Sequence, residues 1–452
     1  MRIQSINPYT EEVMKEFDYE SEKQIHNKLK LLKDNKKWAE LDIKEKSKAI
    51  SNTAKELEKR KEECVEIISL EMGKPINQSI AEIEKCTLMC NHFSEISEKF
   101  LKEENIQTDF QKSYLRLDPL GVILGIMPWN FPFWQVFRFA VPALLIGNRI
   151  VVKHSSNVPQ CALKIEEIFN NTLQENVYKN ILTAGRNTSK LIESDYIQGA
   201  SITGSTEAGS KVAEAAGRAI KKTVLELGGS DPFIILNDAD LEKAASTASL
   251  ARFINTGQSC IAAKRFIAEN KIAKIFSEMF AEKINKLNIG DPLNKETDIG
   301  PLARKDLREE LHDTVKRSTE QGAKILTGGK YREGKGYFYM PTLMCNVNKN
   351  MPIIREETFG PVAPVIIAED EEDAVRIAND SEYGLGASIW TKDIEKAEKL
   401  ARKIESGFIA INDMVKSDPR LPFGGIKKSG YGRELSHYAF YEFANLKTIV
   451  VK

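Results

Sequence analysis

Gly121-Val122-Ile123-Leu124-Gly125-Ile126-Met127-Pro128-Trp129-Asn130-Phe131-Pro132 decides how the chain is read. Its first six residues form an unbroken apolar run, with no alternation to mark a solvent-facing side. A strand of this kind is buried on both faces, as the strands of a parallel sheet are. Pro128 and Pro132 then bracket Asn130, which predicts a stiff, extended backbone there. An Asn at the carboxyl end of a buried strand can aim an amide N–H at a ligand. It can also be a plain turn residue.

The pattern repeats outward. A helix is predicted over 133–145, interrupted by Arg138, and a second buried strand over 149–153, with Lys153 at its carboxyl edge. Another helix follows over 158–173. A third strand, 197–203, enters Gly204-Ser205-Thr206-Glu207-Ala208-Gly209 and a helix to 220. A strand, a Gly-Ser-Thr turn and a helix together present backbone N–H groups and a helix N-terminus to phosphate, although this is not the GxGxxG fingerprint. In 223–229 (TVLELGG), Glu226 stands in an apolar strand just before two glycines. A carboxylate there is costly to bury unless paired or protonated, and a raised pKa suits a general base.

Helices and strands alternate to the end, through the turn 356–362, the polar loop 412–422 and the Gly-rich turn 423–430. The fold class is α/β. Toward the N-terminus, residues 1–20 read as an extended arm turning at 7–10. Residues 21–102 read as a helical layer packed on the sheet, with no chemistry before residue 113. Strands at 113–117 and 446–451 have no obvious place in the main sheet.

Asn255-Thr256-Gly257-Gln258-Ser259-Cys260 lies between a helical segment, 241–253, and a strand, 264–268. A short Gly-containing loop can bring backbone close to a substrate and expose the sulfur. A lone cysteine is more often a small core hydrophobe.

Composition narrows the function. A chain of 452 residues calls for two or three domains. Lys plus Arg equals Asp plus Glu, 65 each, so no global field attracts nucleic acid or anionic lipid. The start Met1-Arg2-Ile3-Gln4-Ser5 has no apolar leader, and no apolar run is long enough to cross a membrane. The six cysteines, at 64, 86, 90, 161, 260 and 345, form no CxxC and have no His at metal-ligand spacing. That pattern argues against a metal site and for a reduced, cytoplasmic protein.

Read together, PWNFP (128–132), Lys153, GSTEAG (204–209), ELGG (226–229), NTGQSC (255–260), EETFGPV (356–362) and PFGG (422–425) resemble the NAD(P)-dependent aldehyde dehydrogenase superfamily. The resemblance keeps the family's motif order and covers essentially the whole chain. It implies Cys260 as nucleophile, Asn130 and the Cys260 N–H as oxyanion donors, and Glu226 as the base for the hydrolytic water, with earlier activation of Cys260 open to it as a second role. It also implies Lys153 on the adenosine ribose, Ser205 at the pyrophosphate, Glu357 on the nicotinamide ribose and Phe359 beside the ring. Trp129, Gly204 and Leu227 complete the implied cofactor contacts. NAD-preferring relatives often carry Glu where this chain has Ser156. Ser156 brings no charge to repel a 2′-phosphate, so NADP is expected ahead of NAD.

Residues 129–148, 153–162 and 412–435, with Tyr441-Glu442-Phe443, further resemble a short-chain branch that includes succinate-semialdehyde dehydrogenases. A distal carboxylate needs a cationic or hydroxyl partner. Arg138 and Ser417 are the candidates, with Trp134 and Phe423 lining the tunnel. Arg138 is otherwise a surface or interface salt bridge, and Ser417 a loop serine. Glyceraldehyde, lactaldehyde and general aliphatic aldehydes stay open as substrates.

The family fold implies a Rossmann-like cofactor domain (1–100 and 120–228), an α/β catalytic domain (229–428) and a small β oligomerisation arm (101–119 and 440–452). The arm's unpaired edges imply a homodimer or homotetramer.

Overall fold

Residues 2–452 are described by a computed structural model. The apolar runs Val122–Met127, Arg149–His154, Gly199–Thr203 and Lys222–Glu226 lie together in one six-stranded sheet. Its order is Gly430–Tyr431, Lys222–Glu226, Gly199–Thr203, Val122–Met127, Arg149–His154, Tyr178–Asn180. Only Gly430–Tyr431 runs antiparallel. From Val122–Met127 the chain builds outward to one side, then returns to build the other. The reversal makes a crevice at the carboxyl edge, where α/β sheets bind ligands. Asn130, Lys153, Gly204 and Glu226 follow or end four neighbouring strands on that edge.

The backbone bends through Trp129, Asn130 and Phe131, which corrects the expected extended segment. A proline restricts the residue before it, here Met127 and Phe131, so Asn130 is free to turn. The helix Trp134–Ile146 that follows is buried on all sides. Tyr178–Asn180 was not anticipated, because three residues are too few to show a period.

A second, seven-stranded sheet has the order Lys324–Thr327, Thr342–Cys345, Val362–Ala368, Ala263–Glu269, Asp231–Ile235, Gly386–Trp390, Phe408–Ile411. All but the first strand run parallel. Alternate residues feed opposite faces. Ile234, Ile267 and Ile389 enter one core, and Phe233, Phe266 and Trp390 the other.

Lys112–Pro119 pairs with Ala444–Val451 and Glu104–Asn105 in a separate antiparallel sheet. Near the N-terminus, Ile3–Ile6 and Val13–Phe17 form a hairpin around the predicted turn. The helix Ile76–Phe100 packs against Ile43–Lys59 and Trp134–Ile146. No helix among the described residues is long and apolar enough to cross a membrane.

Candidate active site

Asn255, Thr256 and Gly257 take left-handed φ values of 52°, 56° and 74° in succession. This conformation is strained for a β-branched residue such as Thr256, so the surroundings must hold it. Asn255 Nδ2 donates to the carbonyls of Asn130 (2.8 Å) and Gln258 (3.1 Å). Thr256 Oγ1 exchanges hydrogen bonds with the Gly300 backbone, and Ala303 N donates to Gln258 Oε1. A Cβ on Gly257 would run into the Gly360 carbonyl, and Gly360 N donates to Gly257 O. The loop is therefore fastened to the 356–362 turn at a point only glycine fits.

Cys260 emerges from this loop, partly exposed, on the wall of a cavity of about 300 Å³. Arg138, Trp134, Ser417 and Phe423 line the same cavity. Burial pushes the Cys260 thiol up to about 11, while Arg138 and Lys264 pull it down. No hydrogen bond reaches the Cys260 backbone N–H among the described residues. Asn130 Nδ2 gives one hydrogen to Gln258 O at 3.1 Å, which leaves its second hydrogen free.

The cavity corrects the expectation that nothing before residue 113 bears on chemistry. Gln78, Ala81, Glu82 and Lys85, on one face of Ile76–Phe100, form part of its wall. Glu82 Oε1 accepts from the N–H groups of Phe133 (2.9 Å) and Trp134 (3.0 Å), at the start of the next helix. Buried Lys74 pairs with Glu82, its Nζ 3.8 Å from the Phe131 ring centroid. The pair thus grips the chain just after Asn130, at Phe131 and at Phe133–Trp134. Sequence reading missed it because pairing across helices leaves no mark on local periodicity.

Arg138 is neither a surface nor an interface bridge. Buried, it pairs through Nε with Glu434 and through Nη2 with Glu226 at 3.5 Å, and it lies 4.9 Å from the Phe423 ring centroid. Nη1 carries no hydrogen bond among the described residues. Burial raises the Glu226 carboxyl above its usual range, against the pull of Arg138. Glu434 is raised by burial too. Glu226 does not line the cavity. It lies behind Arg138, against Gly424, and its Oε1 is buried without a partner. Glu434 was not singled out from sequence; a carboxylate beside the Gly-rich turn was the only signal.

The remaining predicted residues lie toward the sheet crevice. Gly204 opens the approach to the helix Thr206–Arg218, and a Cβ there would meet nothing closer than 3.7 Å. Ser205 caps that helix by accepting from Ala208 N. Lys153 has no hydrogen-bond or ionic partner among the described residues, and Ser156 is exposed in the turn just beyond it. Leu227 packs on Gly209. Trp129 meets Phe359 edge-on at 6.0 Å. Glu357 Oε1 accepts from Gly229 N and from Lys264 Nζ, both at 2.9 Å. Lys264, also missed from sequence, ties the Gly229 and Cys260 carbonyls to Glu357. An open helix N-terminus, an unpaired lysine and a fixed carboxylate along one crevice fit a phosphate-bearing dinucleotide.

A model of the aldehyde dehydrogenase family matches residues 1–449. The chain is 46% identical to a probable succinate-semialdehyde dehydrogenase [NADP(+)] of Synechocystis sp., over 99% of each chain. It is 44% identical to a succinate semialdehyde dehydrogenase [NAD(P)+] of Escherichia coli, over 98% of this chain and 97% of the relative. A crystal structure of succinic semialdehyde dehydrogenase from Streptococcus pyogenes, in complex with NADP+ as the cofactor, superposes with a TM-score of 0.96. It shares 35% identity over 99% of each chain.

Proposed function

The chain belongs to the aldehyde dehydrogenase family, and from that premise we propose that it oxidises succinate semialdehyde to succinate with NADP+, NAD+ being the second acceptor. The observation that carries the substrate is Arg138 on the wall of the cavity that holds Cys260. An acidic aldehyde enclosed there can pair its charge with the guanidinium, which an uncharged one cannot.

Lys153, Ser156, Gly204, Ser205, Leu227, Trp129, Glu357 and Phe359 would hold the cofactor, which supplies a hydride acceptor when bound. The Cys260 thiol gives up its proton to water, and the thiolate sulfur adds to the aldehyde carbon. The free Asn130 amide hydrogen and the Cys260 N–H hold the resulting oxyanion. After oxidation, Cys260 carries the acyl group as a thioester. Glu226 takes a proton from the water that attacks it, and the acid leaves. To do so Glu226 must swing from behind Arg138 toward the sulfur. Its unpartnered Oε1 and the glycine behind it favour that motion.

Six free cysteines favour a cytoplasmic setting. The strands Lys112–Pro119 and Ala444–Val451 would serve as the assembly arm of a homodimer or homotetramer. Their sheet stands apart, with Leu446, Val450 and Val451 exposed.

kcat/KM for succinate semialdehyde, glyceraldehyde, lactaldehyde and propanal, each with NADP+ and NAD+, tests the assignment. Succinate semialdehyde with NADP+ should lead by roughly tenfold or more. Equal use of the uncharged aldehydes would remove the substrate assignment.

A further inference from the structure

Most charges on the cavity wall are already committed. Arg138 is shared between Glu434 and Glu226, with only its Nη1 left uncommitted. Glu82 is held by Lys74 and two backbone N–H groups. Lys416 turns to Asp413. Lys85 differs. Its Nζ donates to the Ser417 hydroxyl at 2.7 Å and sits 4.4 Å from the Trp134 ring centroid. No carboxylate pairs with it among the described residues. An ammonium has three donors, so two remain for a ligand. Much of the wall around it is apolar, and there an unpaired cation is costly. A carboxylate would relieve that cost through charge-assisted hydrogen bonds.

We infer that Lys85, together with Ser417, receives the distal carboxylate of the substrate and selects acid-bearing aldehydes over uncharged ones of equal length. The inference rests on the succinate semialdehyde reading and adds a residue to it. Burial and the nearby Arg138 hold Lys85 down to about 8, while Cys86, Asp418 and Glu82 act in the opposite direction. The lysine therefore loses its charge as pH rises through about 8, whereas Arg138 keeps its own.

The test compares kcat/KM for succinate semialdehyde and for butanal in wild type, Lys85→Gln and Lys85→Arg, from about pH 6.5 to about pH 9.5. The ratio of the two substrates is the readout, because titration of Cys260 or Glu226 affects both and cancels. If wild type shows no preference for the acid, the substrate reading itself fails. Given a preference, the ratio should fall by roughly tenfold or more in Lys85→Gln and survive in Lys85→Arg. In wild type it should decline above about pH 8, and in Lys85→Arg it should stay level. An unchanged ratio in Lys85→Gln would overturn the role of Lys85 and leave the substrate standing. So would an equal loss on both substrates, which marks a packing role.

Discussion

At neutral pH burial favours the thiol form of Cys260 over the thiolate. With its pKa pushed up to about 11 by burial, only roughly one part in 10⁴ is thiolate at pH 7. The thiolate is the reactive form, so reactivity must climb with pH. Iodoacetamide alkylation of the free enzyme should accelerate by roughly tenfold per pH unit between about pH 8 and about pH 10. A plateau already reached at pH 8 would show that the Arg138 and Lys264 charges outweigh burial. Glu226→Gln should cut steady-state turnover by roughly 10²–10⁴-fold. It should keep a first burst of cofactor reduction of about one equivalent per chain, since the proposed mechanism uses Glu226 at thioester hydrolysis. Loss of the burst would move Glu226 to the step before the thioester. Single residues drew attention in the sequence where a motif surrounds them, as with Asn130, Glu226 and Cys260. Glu82, Lys85, Lys264 and Glu434 did not, because each takes its meaning from a partner far away in sequence. Lys85 shows this plainly: its helix face reads as a packing surface until Ser417 arrives against it.

At the scale of elements, the site depends on how one helix begins. Trp134–Ile146 has no side-chain cap of its own, and Glu82 supplies one from a neighbouring helix. Glu82→Ala would strand Lys74 as a buried unpaired charge, at a cost of about 3–5 kcal/mol. Urea unfolding should register that loss, and kcat should fall as the Asn130 turn loosens. Stability unchanged within about 1 kcal/mol would mean that Lys74 finds another partner. The long buried strands were legible, because a parallel strand covered on both faces is apolar throughout. Gly430–Tyr431, only two residues long, was not; it exists because Lys222–Glu226 offers an edge for it.

For the molecule as a whole, the Lys112–Pro119 and Ala444–Val451 strands pair along their full length, Lys112 opposite Val451 and Pro119 opposite Ala444. This ties a segment before the first parallel sheet to the end of the chain. Deleting residues 444–452 should expose Lys112–Pro119 as an unpaired edge. Sedimentation analysis should then show loss of the wild-type assembly or aggregation. Retention of the wild-type mass would place the subunit contact elsewhere. The α/β class was legible from strand and helix alternation alone. How the strands divide between the two large sheets was not, because alternation does not say which strands pair.

The fastening of the Cys260 loop has a bearing on how the protein is made. The loop leans on Gln78, Asn130, Gly300 and Gly360, and Arg138 behind it closes on Glu434. On the ribosome, Gly360 and Glu434 follow Cys260 by about 100 and about 170 residues, a delay on the order of 5–35 s. Through that interval the turn at 255–257 lacks its Gly360 fastening. A chain released before Glu434 would carry the nucleophile without the carboxylate that pairs with Arg138.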